Sequence, residues 1–480
     1  MVHRSVRGGW LTPMASRDYI FYDFTLSLCD VCLERVEAKV IFQDEKVWMT
    51  KRCPAHGARR DLIATDIEYY KKCRDFLKPG DLPRRFNTPT LYGCPYDCGL
   101  CPDHEQHSCL TLLEVTDRCN LSCPTCYTES GPSAGRHRDL DEIDRMLEAI
   151  VANEGSPDIV QISGGEPTVH PQFFEILDLA KTKPIRHLMV NTNGLRIAQE
   201  ADFARRLAGY APNFEIYLQF DSFEDAALQK LRGAPLAEIR RRALERLNEA
   251  GLSTTLVVTL AKGLNGGEIG KILDFAVRQP CVRGVTFQPT QGAGRVEGFD
   301  PALHRLTLTE VRSAILEQSR LFAPADLIPV PCNPDALCMG YALKVNGEAI
   351  PLTRYIDPDD LLKGEGNTIV YERDAALKEK IIRLFSTSQS AETASLELQS
   401  LLCCLPKVAV PKEIGYENVF RVIIMQFLDA YNFDVRSVKR SCVHIVDGRG
   451  RLIPFDTMNL FYRPGLEGRL EALRKGRGAG

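Results

Sequence analysis

Seven of the chain's 17 cysteines fall between Cys94 and Tyr127, in "CPYDCGLCPDHEQHSCLTLLEVTDRCNLSCPTCY". One spacing occurs there twice: Cys94, Cys98 and Cys101 read C-x3-C-x2-C, and so do Cys119, Cys123 and Cys126. Three thiolates so spaced suit a [4Fe–4S] cluster with one iron left open to a substrate or cofactor. The second triad follows the strand-like run "LTLLEVTD" (110–117), in a loop that leads to a helix. Around the first triad the chain is turn-prone, and Cys109 offers a fourth thiolate. Four thiolates would close that site and favour electron transfer or structure, with a zinc ion as the alternative. His104 and His107, lying between the ligands, read as hydrogen-bonding or exposed imidazoles.

Other cysteines extend the theme. Cys29-x2-Cys32, followed by Cys53 and His56 in "CPAHG", suits a tetrahedral zinc or rubredoxin-like iron site, with Cys73 competing against His56. "PCNPDALC" supplies Cys332 and Cys338, and the hairpin "CVHIVDGRGRLIPF" (442–455) supplies Cys442. A turn centred on Gly448–Arg449 sets Cys442 opposite Phe455 and beside Asp456, which would fill a fourth position or leave it open. Cys403 and Cys404, adjacent in an apolar helix, are alternative ligands. Close, regular spacings in a reducing compartment point to metal rather than disulfides.

The elements that must position these groups divide the chain into three. Residues 1–108 have many cysteines and little periodicity, as expected of a small domain organised by metal. Residues 109–300 alternate strand and helix: runs at 110–117, 158–163, 186–192, 214–221, 253–260 and 282–289, with helical spacing near 139–155, 171–181, 198–209, 236–250 and 267–278. Six such units give an α/β fold with a parallel sheet, and the ligand positions favour a partial barrel over an open sheet. Residues 301–480 lose the pattern, with helices near 308–321, 372–385 and 393–403, a strand at 419–427 and the hairpin.

Polar residues follow successive barrel strands. Gly164-Gly165-Glu166-Pro167 comes after the second, where glycines let a ligand approach the backbone and Glu166 could accept bonds from an ammonium group. Asn193 follows the third strand, and Gln219 and Asp221 the fourth.

With 60 basic and 63 acidic residues, the composition makes no electrostatic case for nucleic acid. The N-terminus lacks a signal-peptide apolar core and no long apolar run occurs, so a cytoplasmic protein is expected.

C-x3-C-x2-C with Tyr127 after the last cysteine, followed one strand later by GGEP, resembles the radical S-adenosylmethionine superfamily over roughly residues 110–290. That resemblance implies a cluster on Cys119, Cys123 and Cys126, with the amino and carboxylate groups of S-adenosylmethionine on its open iron. It places Tyr127, Gly164, Gly165 and Glu166 at the cofactor, and makes Asn193 and Asp221 candidates for its ribose or carboxylate. A 5′-deoxyadenosyl radical would then abstract hydrogen, after an electron arrives from a donor such as ferredoxin or flavodoxin.

"CPAHG", "PCNPDALC" and "FLDAYNFDVRSVKRSCVHIVDGRGRLIPF" widen the likeness to about 29–459. The chain looks like one subgroup that includes archaeal tetraether lipid synthase and proteins described as dihydropterin methylases. The subgroup implies a metal-binding N-terminal domain and an auxiliary cluster in the C-terminal domain, one or two auxiliary [4Fe–4S] clusters in all. Its members commonly carry cysteine where this chain has Asp456. The leading expectation is carbon–carbon coupling of lipid alkyl chains, with a peripheral membrane association open. The alternatives are methylation of a pterin or other small heterocycle, and a non-catalytic iron–sulfur electron carrier.

Overall fold

The computed structural model describes residues 17–77, 80–345, 347–354 and 418–476. The helices expected at 372–385 and 393–403, and Cys403 and Cys404 with them, lie outside the described residues.

The N-terminal stretch is more regular than its sequence suggests. Strands β1 (Ile20–Leu28), β2 (Arg35–Gln43), β3 (Lys46–Cys53) and β4 (Gly57–Ala64) form an antiparallel sheet in chain order. Val40, Phe42, Val47 and Ala64 make a small core on it, and Tyr22 and Tyr70 pack against them. Asp44 and Glu45 turn β2 into β3 with φ of +52° and +58°, as a tight hairpin demands. Neither is glycine, so the usual sequence signal for that turn is missing. A short helix, α1 (Ile67–Lys72), ends the unit, capped by Asp66.

The expected six parallel strands are present as β5 (Leu110–Thr116), β6 (Ile159–Gly164), β7 (His187–Thr192), β8 (Phe214–Gln219), β9 (Thr254–Leu260) and β10 (Val282–Pro289). They are buried along nearly their whole length, as strands covered on both faces must be. The helices α2 (Leu140–Glu154), α3 (Phe173–Lys181), α4 (Leu195–Gln199), α5 (Phe203–Ala208), α6 (Asp225–Arg232), α7 (Ala237–Glu249) and α8 (Ile269–Arg278) lie between them. The large core joins their inward faces to both sides of the strands, from Leu113 and Ile143 through to Ile272 and Val285. This is a partial (β/α)6 barrel.

After α9 (Pro301–His304) and α10 (Leu308–Gln318), the C-terminal part adds β11 (Ile328–Pro329), β12 (Leu337–Val345), β13 (Glu348–Pro351), β14 (Val419–Met425), β15 (Val443–Val446) and β16 (Leu452–Pro454). It extends the barrel sheet at both ends: β14 runs parallel beside β10, and β15 parallel beside β5. Neither edge of the six-stranded sheet is left bare. Glu215 on β8 accepts from Arg421 of β14 at 3.2 Å and faces His187 of β7 at 3.3 Å, pinning the added strand to the barrel from within. Lys51 of β3 donates to the carbonyls of Ala430 and Tyr431 at 2.7 and 2.8 Å, which docks the N-terminal sheet on the C-terminal part.

The hairpin turns where expected, with Asp447 accepting from the backbone of Arg449 and Arg451 and Gly450 at φ +79°. Its register pairs His444 with Pro454, so its continuation sets Cys442 opposite Asp456 rather than Phe455. No helix among the described residues is long and apolar enough to cross a membrane.

Candidate functional site

The cysteine loop leaves β5 at Thr116 and is seated on β6 by backbone bonds. Gly165 donates its N–H to Thr116 at 2.7 Å, and Glu166 donates its N–H to Arg118 at 2.9 Å. A Cβ on Gly164 would stand 2.3 Å from the Thr116 carbonyl oxygen, and one on Gly165 2.2 Å from that of Arg118. The two glycines are therefore required first by this close approach of loop to strand. Gly294 does the same service opposite, where a Cβ would meet the Cys126 carbonyl at 2.5 Å and where Cys126 and Arg295 exchange backbone bonds.

Glu166 is held by a dense set of donors. It is 1% exposed, and its two oxygens accept from the Thr168 N–H and hydroxyl (3.2 and 2.6 Å), the Thr192 hydroxyl (2.7 Å) and the Asn193 N–H (2.7 Å). Three of these bonds fall on Oε1 and one on Oε2, and together they brace β6 against β7. Burial pushes its acidity down, against these donors. Asn193, so held, donates from Nδ2 to Oδ1 of Asn120 at 2.7 Å, beside Cys119.

Asp221 is also spoken for. Fully buried and at φ +65°, it takes Nε and Nη2 of Arg232 at 2.8 and 2.6 Å and the Thr259 N–H at 3.1 Å. Burial opposes its ionisation, yet Arg232 and Arg240 hold its carboxyl below the usual range. Arg232 also donates to Gln219 and Thr259, each at 2.8 Å, and is turned toward Cys123. Arg240, 1% exposed, bonds the Asn193 carbonyl and lies 3.7 Å from Asp221. Arg240 sits in the charged helix expected over 236–250 and Arg232 ends α6, a helix the sequence pattern does not predict; only the buried acid they meet marks them out.

The three thiols stand differently. Burial and the Glu166 carboxylate push Cys119 up to about 12, and burial raises Cys123 despite Arg232. Cys126 is lowered: burial is outweighed by bonds from Thr128, Ser130 and Arg295. Donors thus surround the loop where thiolate charge would concentrate. Tyr127 packs its ring 4.9 Å from that of Phe455, under the Arg463 guanidinium at 5.5 Å.

The three cysteines, Tyr127, Glu166, Asn193, Arg232 and Arg240 line one cavity of about 160 Å³ at the C-terminal ends of the barrel strands. Side-chain amides from β6, β7, β8 and β10 line it, namely Gln161, Asn191, Gln219 and Gln288, together with Gln291. Gln219 donates to Asn191 at 2.9 Å, and Gln288 to the Tyr217 hydroxyl at 3.2 Å. The Nε2 of Gln161 and the Oε1 of Gln291 are buried without a hydrogen-bond partner among the described residues. The facing wall is aromatic, with Phe427 and Phe455 stacked at 3.9 Å.

The remaining cysteines sort themselves in space. Cys29, Cys32, Cys53 and His56 converge as one set, with Cys29 and Cys53 3.6 and 3.4 Å from His56 Nδ1 and Cys32 3.8 Å from Cys53. Tetrahedral zinc with these ligands has edges of about 3.5–3.8 Å, so the set fits that ion. Its hydrogen bond to His56 brings Cys53 down to about 6. Cys73 is elsewhere, beside Tyr69 and Cys338. Cys94, Cys98 and Cys101 interact with one another and with the hydroxyls of Thr90 and Thr457. Cys109, however, is not their fourth member: its thiol joins those of Cys332 and Cys442, all within 4.8 Å of one another. The irregular stretch 102–109 carries Cys109 past the first triad to the start of β5, the edge where β15 pairs. Cys338 is likewise apart from Cys332, pointing from β12 into the barrel-side core against Tyr69. Asp456 accepts the Leu428 N–H and bonds Ser441, outside the group of three thiols; burial lifts it to about 6.

Known proteins place this geometry. Residues 113–276 match the Radical SAM superfamily, and residues 21–65 match the HMPTM N-terminal zinc ribbon domain. The chain is 31% identical to the 7,8-dihydro-6-hydroxymethylpterin dimethyltransferase of Methanocaldococcus jannaschii, covering 92% of this chain and 94% of that one. It is 28% identical to a GTP 3′,8-cyclase of Shewanella denitrificans over 46% of this chain and 64% of that protein. Among solved structures, Streptococcus suis SuiB bound to S-adenosylmethionine aligns with a TM-score of 0.37 at 16% identity, over 44% of this chain and 47% of that one.

Proposed function

We propose, from the premise that this chain belongs to the radical SAM superfamily and to the family of the M. jannaschii pterin dimethyltransferase, that it is a radical enzyme methylating carbon on a pterin-like heterocycle. Membership brings a [4Fe–4S] cluster and S-adenosylmethionine, which together supply a hydrogen-abstracting radical when one electron arrives from an external donor. In this reading Cys119, Cys123 and Cys126 hold the cluster in the loop that Gly164, Gly165 and Asn193 seat. Arg232 and Arg240 offset its negative charge and orient the cofactor's carboxylate. Glu166 and Asp221 act through the residues they hold, and Tyr127 closes the wall between cavity and hairpin. Cys29, Cys32, Cys53 and His56 bind zinc.

The amides that line the cavity carry the choice of substrate. Four amides on β6, β7, β8 and β10, with an unpaired donor on Gln161 and an unpaired acceptor on Gln291, match a planar ring edged with donors and acceptors. The stacked Phe427 and Phe455 match its face. An alkyl chain seated there would leave those buried polar atoms unpaired, at about 1–3 kcal/mol each. This observation and the kinship with a pterin dimethyltransferase both favour the heterocycle over the lipid coupling expected from sequence.

The test is anaerobic turnover of the reconstituted protein with reductant, S-adenosylmethionine and 7,8-dihydro-6-hydroxymethylpterin, in extract from cells fed isotopically labelled methyl and one-carbon precursors. The expected product is the pterin with label in a new C–methyl group, formed together with 5′-deoxyadenosine. Loss of hydrogen from added alkyl lipids, with the pterin untouched, would sink the reading.

A further inference from the structure

β14 runs parallel beside β10, so the segments leaving the two strands emerge side by side at the C-terminal ends of the barrel strands. The segment after β10 brings Gln291 to the cavity, and the segment after β14 brings Phe427. Gln291 keeps its Oε1 buried without a hydrogen-bond partner among the described residues. Fixing a loop costs conformational entropy, so such an acceptor stays in place only where the backbone beside it is tied.

The tie is Asp429, two residues beyond Phe427 and 0% exposed. Its Oδ2 accepts the N–H of Gly292, the residue after Gln291, at 2.7 Å, and also takes Nη2 of Arg305. Its Oδ1 accepts the Tyr431 N–H at 3.0 Å, and its own N–H donates to Oδ1 of Asn432 at 2.8 Å. The fit at Gly292 is close, since a Cβ there would stand 2.7 Å from the Phe299 ring and 3.2 Å from that of Tyr431. Arg305 lies over the same two rings, 5.6 and 5.9 Å from their centroids. Farther along the loop, Arg295 is held to Cys126 by its own pair of backbone bonds. Gln291 and the cysteine loop are therefore anchored separately, the first through Asp429.

The turn that carries Asp429 is itself gripped by the N-terminal sheet. Lys51 of β3, 5% exposed, donates to the carbonyls of Ala430 and Tyr431, the two residues that follow Asp429.

We propose that Asp429 is a positioning residue: it fixes the loop that presents Gln291 to substrate, and Lys51 makes the N-terminal sheet part of that support. Its consequence for substrate rests on the heterocycle reading of the cavity. Loss of either group should loosen the hold on substrate and spare the cofactor, because the tie between Arg295 and Cys126 stays intact.

Hydrogen–deuterium exchange of the reconstituted full chain, resolved to single residues and run without substrate, tests the tie directly. The Gly292 amide should exchange about tenfold more slowly than an unbonded loop amide, or slower still. Asp429→Asn and Lys51→Met should each speed it. In turnover, the KM for 7,8-dihydro-6-hydroxymethylpterin should rise about tenfold in Asp429→Asn and less in Lys51→Met, with the affinity for S-adenosylmethionine unchanged. In a Gln291→Ala background, Asp429→Asn should add no further rise. Exchange of Gly292 at the unbonded rate in the unaltered protein overturns the proposal with no variant needed. So does an unchanged Gly292 rate in either variant, a full rise in KM in the Gln291→Ala background, or an equal loss of affinity for pterin and S-adenosylmethionine. If the unaltered protein neither binds nor turns over the pterin, the heterocycle reading fails, and the Gly292 exchange still decides the role of Asp429.

Discussion

Glu166 accepts the backbone N–H of Asn193 at 2.7 Å, tying the loop after the second barrel strand to the loop after the third. Because Asn193 in turn holds Asn120 next to Cys119, the acid acts on the cysteine loop through two hydrogen bonds. Replacing Glu166 with Gln forces an NH2 group against at least one buried donor. Loss of charge-assisted bonds of this kind costs about 2 kcal/mol. The denaturant midpoint should fall accordingly, and the iron retained after reconstitution should fall with it. A carboxylate whose task was to meet the cofactor's ammonium group would give unchanged stability and a change in S-adenosylmethionine affinity alone.

The part of this site legible in sequence was its ligands and its rim, and the reason is physical. Strands β5 to β10 are buried on both faces, so Val160, Val190 and Val258 lie in continuous apolar runs that no polar periodicity confuses. Thiols spaced three and two residues apart are bound to meet. Partner choice between distant thiols follows no such local rule: Cys109 belongs with Cys332 and Cys442 because β15 pairs with β5, a contact made across most of the chain. The partners of Glu166 and Asp221 are hidden from sequence for the same cause, since a rim carboxylate looks free until the hydroxyls and guanidinium around it are placed. The N-terminal sheet was missed because Asp44 and Glu45 make a turn that normally advertises itself with glycine.

Acid stability should depend on Glu215. It is wholly buried, and although burial opposes its charge, Arg421 and His187 bring it from 4.5 down to about 2. A depressed folded-state value means the stabilisation is complete above 4.5 and is lost as the pH falls toward 2, about 3 kcal/mol in all. Urea midpoints measured from pH 6 to pH 3 should therefore decline in the unaltered protein, and Glu215→Gln should flatten that decline. Equal slopes in the two proteins would assign the acid sensitivity to other carboxylates.

The zinc-binding set should be separable from the iron sites. Its ligands come from β1–β4 and their turns, and their own small core of Cys29, Val36 and Cys53 is distinct from the cores around the barrel. Substituting Cys53 with Ser should remove one zinc per chain by elemental analysis, with iron and sulfide content unchanged. Docking through Lys51 survives that change, so cofactor binding should survive as well, with thermal stability lowered. Coincident loss of iron would mean that the sheet and the barrel fold as one unit.

Gln161 offers a test in which stability and binding move in opposite directions. Its Nε2 is buried without a partner among the described residues, in a side chain that is 2% exposed. An unmade hydrogen bond of that kind costs the free protein about 1–3 kcal/mol, so Gln161→Leu, of similar size, should leave stability unchanged or raise it. The same leucine denies a heterocycle its donor, and a loss of about 1.4 kcal/mol in binding is a tenfold rise in Kd. Substrate titration of the reconstituted protein should show that rise, while the denaturant midpoint holds or increases. Tighter binding of an alkyl substrate by Gln161→Leu would instead identify the cavity as a seat for hydrocarbon, and its amides as incidental to substrate choice.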